Sequence, residues 1–149
     1  SKSGLAVLGG KSPEARAWFA ADLQCPTDDE YFERFGKAMG GHSAEGDAAA
    51  QRLSAERFYQ AQCVKDETMA ESIVRAHAAA SAGGRRPVVV HFNGAFHSDF
   101  GLGTAARVKR RMPGARIAIV TMMPVASLDV VAPGEEDRRR ADYLVYTSR

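Results

Sequence analysis

The stretch Asn93-Gly94-Ala95-Phe96-His97-Ser98-Asp99-Phe100-Gly101 places an amide, an imidazole, a hydroxyl and a carboxylate within seven positions, directly after the apolar run PVVVHF. A loop needs fewer polar groups than that to stay in water, so these four are read as a site rather than as surface decoration. His97 is the first candidate, because a neutral imidazole can hold a metal and can move a proton near neutral pH. His91 is harder to assign. Alternation along an extended run places it with Val89, which makes it a partly buried histidine bonded through one ring nitrogen. Turned toward the crevice instead, His91, His97 and Asp99 form a metal-ligand set, although H-x5-H is not a diagnostic spacing. Neither histidine neighbours a nucleophile in a known setting, and the chain holds no GxSxG, P-loop or GxGxxG.

A second set lies on a long helical segment. Tyr59, Gln62, Asp66, Met69, Ile73 and His77 follow one another in helical steps and share a stripe. Its later half is ordinary core. Its earlier half puts Gln62 and Asp66 where apolar side chains belong, and polar groups turned inward need partners. Two readings stand at this point: they line a polar pocket, or the helix overhangs into solvent. Met122 and Met123 are gap fillers, or part of a surface for a large apolar ligand. Cys63 is read as a buried, inert thiol, and His42 as a solvated histidine in the small polar stretch His42 to Asp47.

The elements that must position these residues come in two zones. Ser12-Pro13-Glu14 starts a short helix reaching about Leu23 with Trp18 and Phe19 on its apolar side, and Thr27 with Glu30 predicts a capping box for a second. Tyr31, Phe32, Phe35 and Met39 mark that second helix's buried face until Gly40-Gly41. A long helix over about 50–82 follows. After Gly83-Gly84 the pattern changes to strands: Pro87 to Phe92, Arg116 to Thr121 and Tyr143 to Thr147, with a basic helix from Ala105 to Met112 between the first two. Strand, helix and strand over about 87–121 form a βαβ unit. The expected fold is α/β, a mostly parallel sheet flanked by helices, with ligands beyond the strands' carboxyl ends.

Composition narrows the partners. With 149 residues, 45% hydrophobic and 26% charged, the chain is one globular domain or part of one. Lys plus Arg is 20 against Asp plus Glu 18, so there is no polybasic tail to make nucleic acid the default partner. Arg107, Lys109, Arg110 and Arg111 are read as a solvated face, as is Glu135 to Arg140, where opposite charges three apart can pair. Two cysteines are too few for a disulfide scaffold, and no spacing supports structural zinc. No apolar run is long enough for a transmembrane span.

The segments FYQAQCVKDETMAESI (Phe58 to Ile73), VVVHFNGAFHSDFGLGT (Val88 to Thr104) and RRMPGARIAIVTMMP (Arg110 to Pro124) resemble the C-terminal half of the ChaN-type haem-binding lipoprotein family. That family belongs to the Tiki/EreA-like superfamily, which shares an α/β fold and a pair of G-x-x-H motifs. Gly94 and His97 match the second motif; Gln62, Asp66, Met69 and Ala70 match the helix signature. The resemblance implies haem binding for iron or haem uptake or storage at a bacterial envelope or periplasm. Its cofactor-binding candidates are His97, Tyr59, Gln62, Asp66, Met122 and Asn93, of which His97, Tyr59 and Met122 are of types that haem iron accepts. The wider superfamily implies an alternative, a divalent-metal hydrolase in which His97 and Asp66 join residues outside this chain. The family's opening Gly-Glu-x-His type motif has no counterpart here. The expectation is therefore the C-terminal part of a single domain, completed by its other half or by a second copy, with a homodimer as one form.

Overall fold

The computed structural model describes residues 4–39 and 48–148. The expected Gly40-Gly41 helix end and His42 lie outside the described residues. The chain divides into two compact units, Ser1–Ser72 and Ile73–Arg149.

The first unit is helical, with α1 (Ala6–Gly9), α2 (Pro13–Arg16), α3 (Glu30–Met39) and most of α4 (Ala48–Ala80). Ser12 caps α2 as the sequence predicts, its Oγ accepting from the Ala15 amide at 3.3 Å, with Pro13 at the first helical position. The amide of Glu14 itself and the Ser12 hydroxyl hold the Glu14 carboxyl below its ordinary range. This helix ends at Arg16, well short of Leu23, and Trp18 is 80% exposed rather than packed. Arg16 Nη1 donates to Ala20 O at 2.8 Å and turns the chain away. A helix this short has little cooperative stability to resist such a turn.

Helix α3 begins on Asp29, whose Oδ1 accepts from the Phe32 amide at 2.8 Å, in place of the expected Thr27 cap. Asp is as good an N-cap as Thr, and its side chain reaches the third amide of a helix starting at Glu30. Tyr31 and Phe35 are buried on the expected face. They enclose Tyr59 of α4, which has no exposed surface and meets three rings edge-on: Phe32 at 4.9 Å, Phe35 at 5.7 Å and Tyr31 at 5.9 Å between centroids.

The buried side of α4 is Tyr59, Cys63, Asp66, Glu67 and Ala70. It shares Tyr59 and Asp66 with the predicted stripe, but Met69, Ile73 and His77 are only half-buried. The middle of the helix, Tyr59 to Ala70, and not its last turns, carries the first unit's core. The reason is the segment after α2, which lies along α4. Ala20 N donates to Thr68 Oγ1 (3.2 Å), Ala21 N to Glu71 Oε2 (2.9 Å) and Gln24 N to Glu67 Oε1 (3.2 Å). A Cys25–Cys63 disulfide follows. Cys63 is thus no inert thiol. Linking residues 38 apart stabilises the folded chain by roughly 3–4 kcal/mol on the chain-entropy account.

The second unit holds two 3-10 turns (Ala95–His97 and Asp99–Gly101), α5 (Gly103–Arg111), β1 (Val120–Val125), α6 (Glu135–Arg140) and β2 (Tyr143–Ser148). β1 and β2 are parallel, from Val120 opposite Tyr143 to Val125 opposite Ser148. Helices with a parallel sheet make the fold α/β, as expected. The βαβ unit, however, sits further along than 87–121: it is β1, α6 and β2. Pro87 to Phe92 forms no strand, and Val88, Val90 and Phe92 are 87%, 71% and 91% exposed. Consequently His91 is exposed, not partly buried. Alternation in sequence prepares a strand, but its hydrogen bonds come from a neighbour, and among the described residues none pairs with this run.

The second predicted strand is displaced forward, so Met122, Met123 and Pro124 lie within β1 instead of in a loop beyond it. The ladder is started by Ile119, whose N–H goes to Asp142 Oδ2 (2.7 Å) and whose carbonyl accepts from the Tyr143 amide (3.0 Å). Pro124 has no N–H to give, and is tolerated in a strand with a neighbour on one side. Alternation then separates two faces. Thr121 turns to the covered face and Met122, 65% exposed, to the other.

Candidate functional site

His97 closes the first 3-10 turn, its amide donating to Gly94 O at 2.9 Å. That bond is the local reason for the G-x-x-H spacing: one tight turn places the imidazole three residues after the glycine. Gly94 itself has ordinary extended angles, and an added Cβ would lie at van der Waals distance, 3.8 Å, from His97 Cδ2. Asn93 Nδ2 donates to Gly94 O (2.8 Å) and Ser98 Oγ (3.2 Å), so this amide bridges the turn from outside. The His97 side chain is half-buried.

Asp99 anchors the following turn. It is 6% exposed; Thr121 Oγ1 of β1 donates to its Oδ1 and Arg140 Nη1 of α6 to its Oδ2, both at 2.8 Å. Arg140 also approaches Asp137 at 3.7 Å and lies over the Phe100 ring, 5.1 Å from its centroid. Phe100 has φ of 62°, a left-handed conformation unfavourable for a bulky side chain. It persists because Asp99 before it is held by its two partners, while Gly101 after it takes φ of 73° at no steric cost. The segment carrying His97 is therefore tied to a strand and a helix through the residue two positions on.

Sequence reasoning missed Thr121 and Arg140. Thr121 left a signal, a polar residue at an inward strand position. Arg140 left none, since E-E-D-R-R-R reads equally well as a solvated helix, and its predicted pairing three residues back to Asp137 is only the weaker of its contacts. Arg107 is a further correction: it is buried, with Nη1 donating to Gly103 O at 2.9 Å, rather than part of a solvated face. Tyr146 was overlooked as well. Its hydroxyl is a buried atom with no hydrogen-bond partner among the described residues, on a strand position opposite Met123.

In the first unit, Asp66 and Gln62 meet on one hydroxyl. Tyr31 Oη donates to Asp66 Oδ2 at 2.7 Å and accepts from Gln62 Nε2 at 3.2 Å. Asp66 has no exposed surface. Of the two readings left open by the sequence, overhang into solvent is thereby removed: these polar groups turn inward and have partners. Replacing Tyr31 by phenylalanine keeps the ring but withdraws a donor from a buried carboxylate. The expected cost is about 1–3 kcal/mol, read as a lower denaturation midpoint at unchanged slope.

The other sequence candidates separate in character. Tyr59 is enclosed by aromatic rings, Met122 stands on the exposed sheet face, and His91 is solvent-facing on the unpaired run. Among the described residues no group of three or more His, Cys, Asp or Glu side chains is placed to hold a metal ion, the set His91, His97 and Asp99 included. Among the same residues no helix is long and apolar enough to cross a membrane.

The family model described as haem-binding uptake, Tiki superfamily, ChaN matches residues 1–108. The match spans α4 and the His97 turn and stops within α5, so β1, α6 and β2 lie beyond it. No curated protein and no solved structure matches the chain. With the helix signature and the G-x-x-H turn both inside the matched region, and that region covering well over half of the sequence, the chain belongs to the ChaN family of haem-binding uptake proteins in the Tiki superfamily.

Proposed function

We propose that this protein binds haem through His97, in iron or haem uptake at a bacterial envelope. The observation that carries the reading is the G-x-x-H turn. It lies inside the family match and presents a half-buried imidazole on a segment fixed by Asp99. The donor chemistry suits the group, since imidazole is a common axial ligand of haem iron. Tyr59 suits it less, because its ring is wholly buried among Tyr31, Phe32 and Phe35. Met122 also suits it less, since its exposed apolar face, shared with Val120, Tyr143 and Val145, is the one opposite Thr121, which holds Asp99. Bound haem would supply an iron centre with its own redox and ligand chemistry. The chain's part is to orient His97 and to exclude water with apolar side chains. The complementary half of the same protein, or a second copy forming a homodimer, is the partner that goes with this reading.

Titration with haem tests it. Wild type should develop a Soret band, and His97→Ala should shift that band and weaken binding at least roughly tenfold, because even the loss of a group supporting a metal ligand costs 10–100-fold. Identical spectra and affinities for the two proteins would overturn His97 as the ligand. Binding of zinc, manganese or iron in place of haem, abolished by His97→Ala, would instead select the hydrolytic branch of the superfamily.

A further inference from the structure

We propose that Cys25 and Cys63 form an oxidative maturation site. The first unit reaches its native form only after a thiol-oxidising catalyst has joined these two sulfurs, which makes the chain a substrate of a protein disulfide donor in an oxidising compartment. The inference rests on the path of residues 20–25 and is independent of haem binding.

Among the described residues, the attachments that fasten this segment to α4 include Ala20 to Thr68, Ala21 to Glu71, Gln24 to Glu67, and Cys25 to Cys63. The first three are hydrogen bonds at 2.9–3.2 Å, of which that to Glu71 is exposed and the other two are part-buried. Bonds of this kind are each weak in net terms. The disulfide alone is covalent, and it is the attachment nearest α3. What it guards is costly to expose. Glu67 and Asp66 have no exposed surface, and Asp66 takes its donor from Tyr31, six residues beyond Cys25. If the segment lifts, Glu67 loses the Gln24 amide and Tyr31 is freed to leave Asp66, so two buried carboxylates each lose a donor. An exchangeable surface disulfide would be poorly placed for such a task. Cys63, however, is fully buried and Cys25 half-buried, so access to the finished bond from solvent is restricted.

The chemistry balances within ordinary thiol–disulfide exchange. The Cys25 thiolate attacks the disulfide of the donor protein, forming a mixed disulfide and releasing one donor thiolate. The Cys63 thiolate then attacks the Cys25 sulfur and displaces the second. The chain loses two thiol protons and two electrons, and the donor leaves as its dithiol. Cytosolic thiol pools oppose the outcome, whereas the bacterial periplasm and other secretory compartments favour it.

The chain should be produced once by secretion into an oxidising compartment and once in a reducing cytosol, then denatured and alkylated. Secreted protein should carry no alkyl groups and yield a cross-linked Cys25–Cys63 peptide; cytosolic protein should carry two. Reduction of secreted protein by glutathione should be at least roughly tenfold slower in buffer than in denaturant, since the sulfurs are reached mainly through opening. Once reduced, the chain should be cut by trypsin at Arg34 and Lys37 of α3 at least roughly tenfold faster than before. Cys25→Ala/Cys63→Ala should behave like the reduced protein, while Glu71→Gln, which weakens a neighbouring attachment and keeps both sulfurs, should stay protected. Two free thiols in the secreted protein would overturn the proposal. So would a reduced or doubly substituted chain with the same tryptic protection as the oxidised one.

Discussion

Asp99→Ala is expected to lower the stability of the second unit by roughly 2–4 kcal/mol, measured by denaturant unfolding against wild type. The carboxylate is 6% exposed and its two oxygens are shared between Thr121 and Arg140, so its removal cuts both ties at once. The lower end of the range reflects Arg140, whose side chain is 27% exposed and regains water once released. Arg140→Ala should cost less, about 1–2 kcal/mol, because Asp99 keeps its Thr121 hydroxyl. The double variant should cost less than the sum, with a coupling of about 1 kcal/mol or more, as for residues in one network. On the proposed ligation by His97, Asp99→Ala should also broaden or weaken the haem spectrum, since Phe100 at φ of 62° loses the neighbour that holds it and His97 lies just before. Additive single variants, or a loss below about 0.5 kcal/mol for Asp99→Ala, would show that the two contacts carry no load.

Tyr59→Ala should be more damaging still, at about 3–5 kcal/mol, because it leaves a ring-sized cavity where three aromatic edges converge and no surface is exposed to collapse into. Tyr59→Phe keeps the ring and is expected to retain most of the stability. The pair also separates structure from ligation. A Soret band unchanged in Tyr59→Phe, with a lowered melting temperature in Tyr59→Ala, assigns this residue to the core. A band that shifts in Tyr59→Phe while stability holds would favour Tyr59 over the proposed His97 as the axial ligand.

Much of the helical zone was legible because its signals are local. Ser12-Pro13 caps a helix wherever it occurs in water, and Tyr31 and Phe35 share a face through helical geometry alone. The long helix over about 50–82 is found at Ala48–Ala80 for the same reason. The G-x-x-H turn was equally readable: three residues suffice to form it. The strand zone was less so. PVVVHF has the composition of a buried strand, yet whether it pairs depends on a partner that the run itself does not contain. Arg116 to Val125 offers several consecutive residues able to enter a ladder, and the register was chosen by Asp142 and Tyr143, more than twenty positions away.

What the sequence by itself determined, then, was the family, the α/β class, the helices with short-range signals, and the turn that carries His97. Each depends on residues within a few positions of one another, or on an ordered series of motifs that can be read without coordinates. Tertiary structure alone decided which polar residues are partnered and by what. Cys25 meets Cys63 because residues 20–25 run along α4, not because of any spacing. Asp66 is satisfied by a tyrosine from another helix, and Asp99 by an arginine from a helix that reads as wholly solvated. A buried charge must find a donor, but many donors in the chain would serve, and only the folded path brings one of them within 2.8 Å.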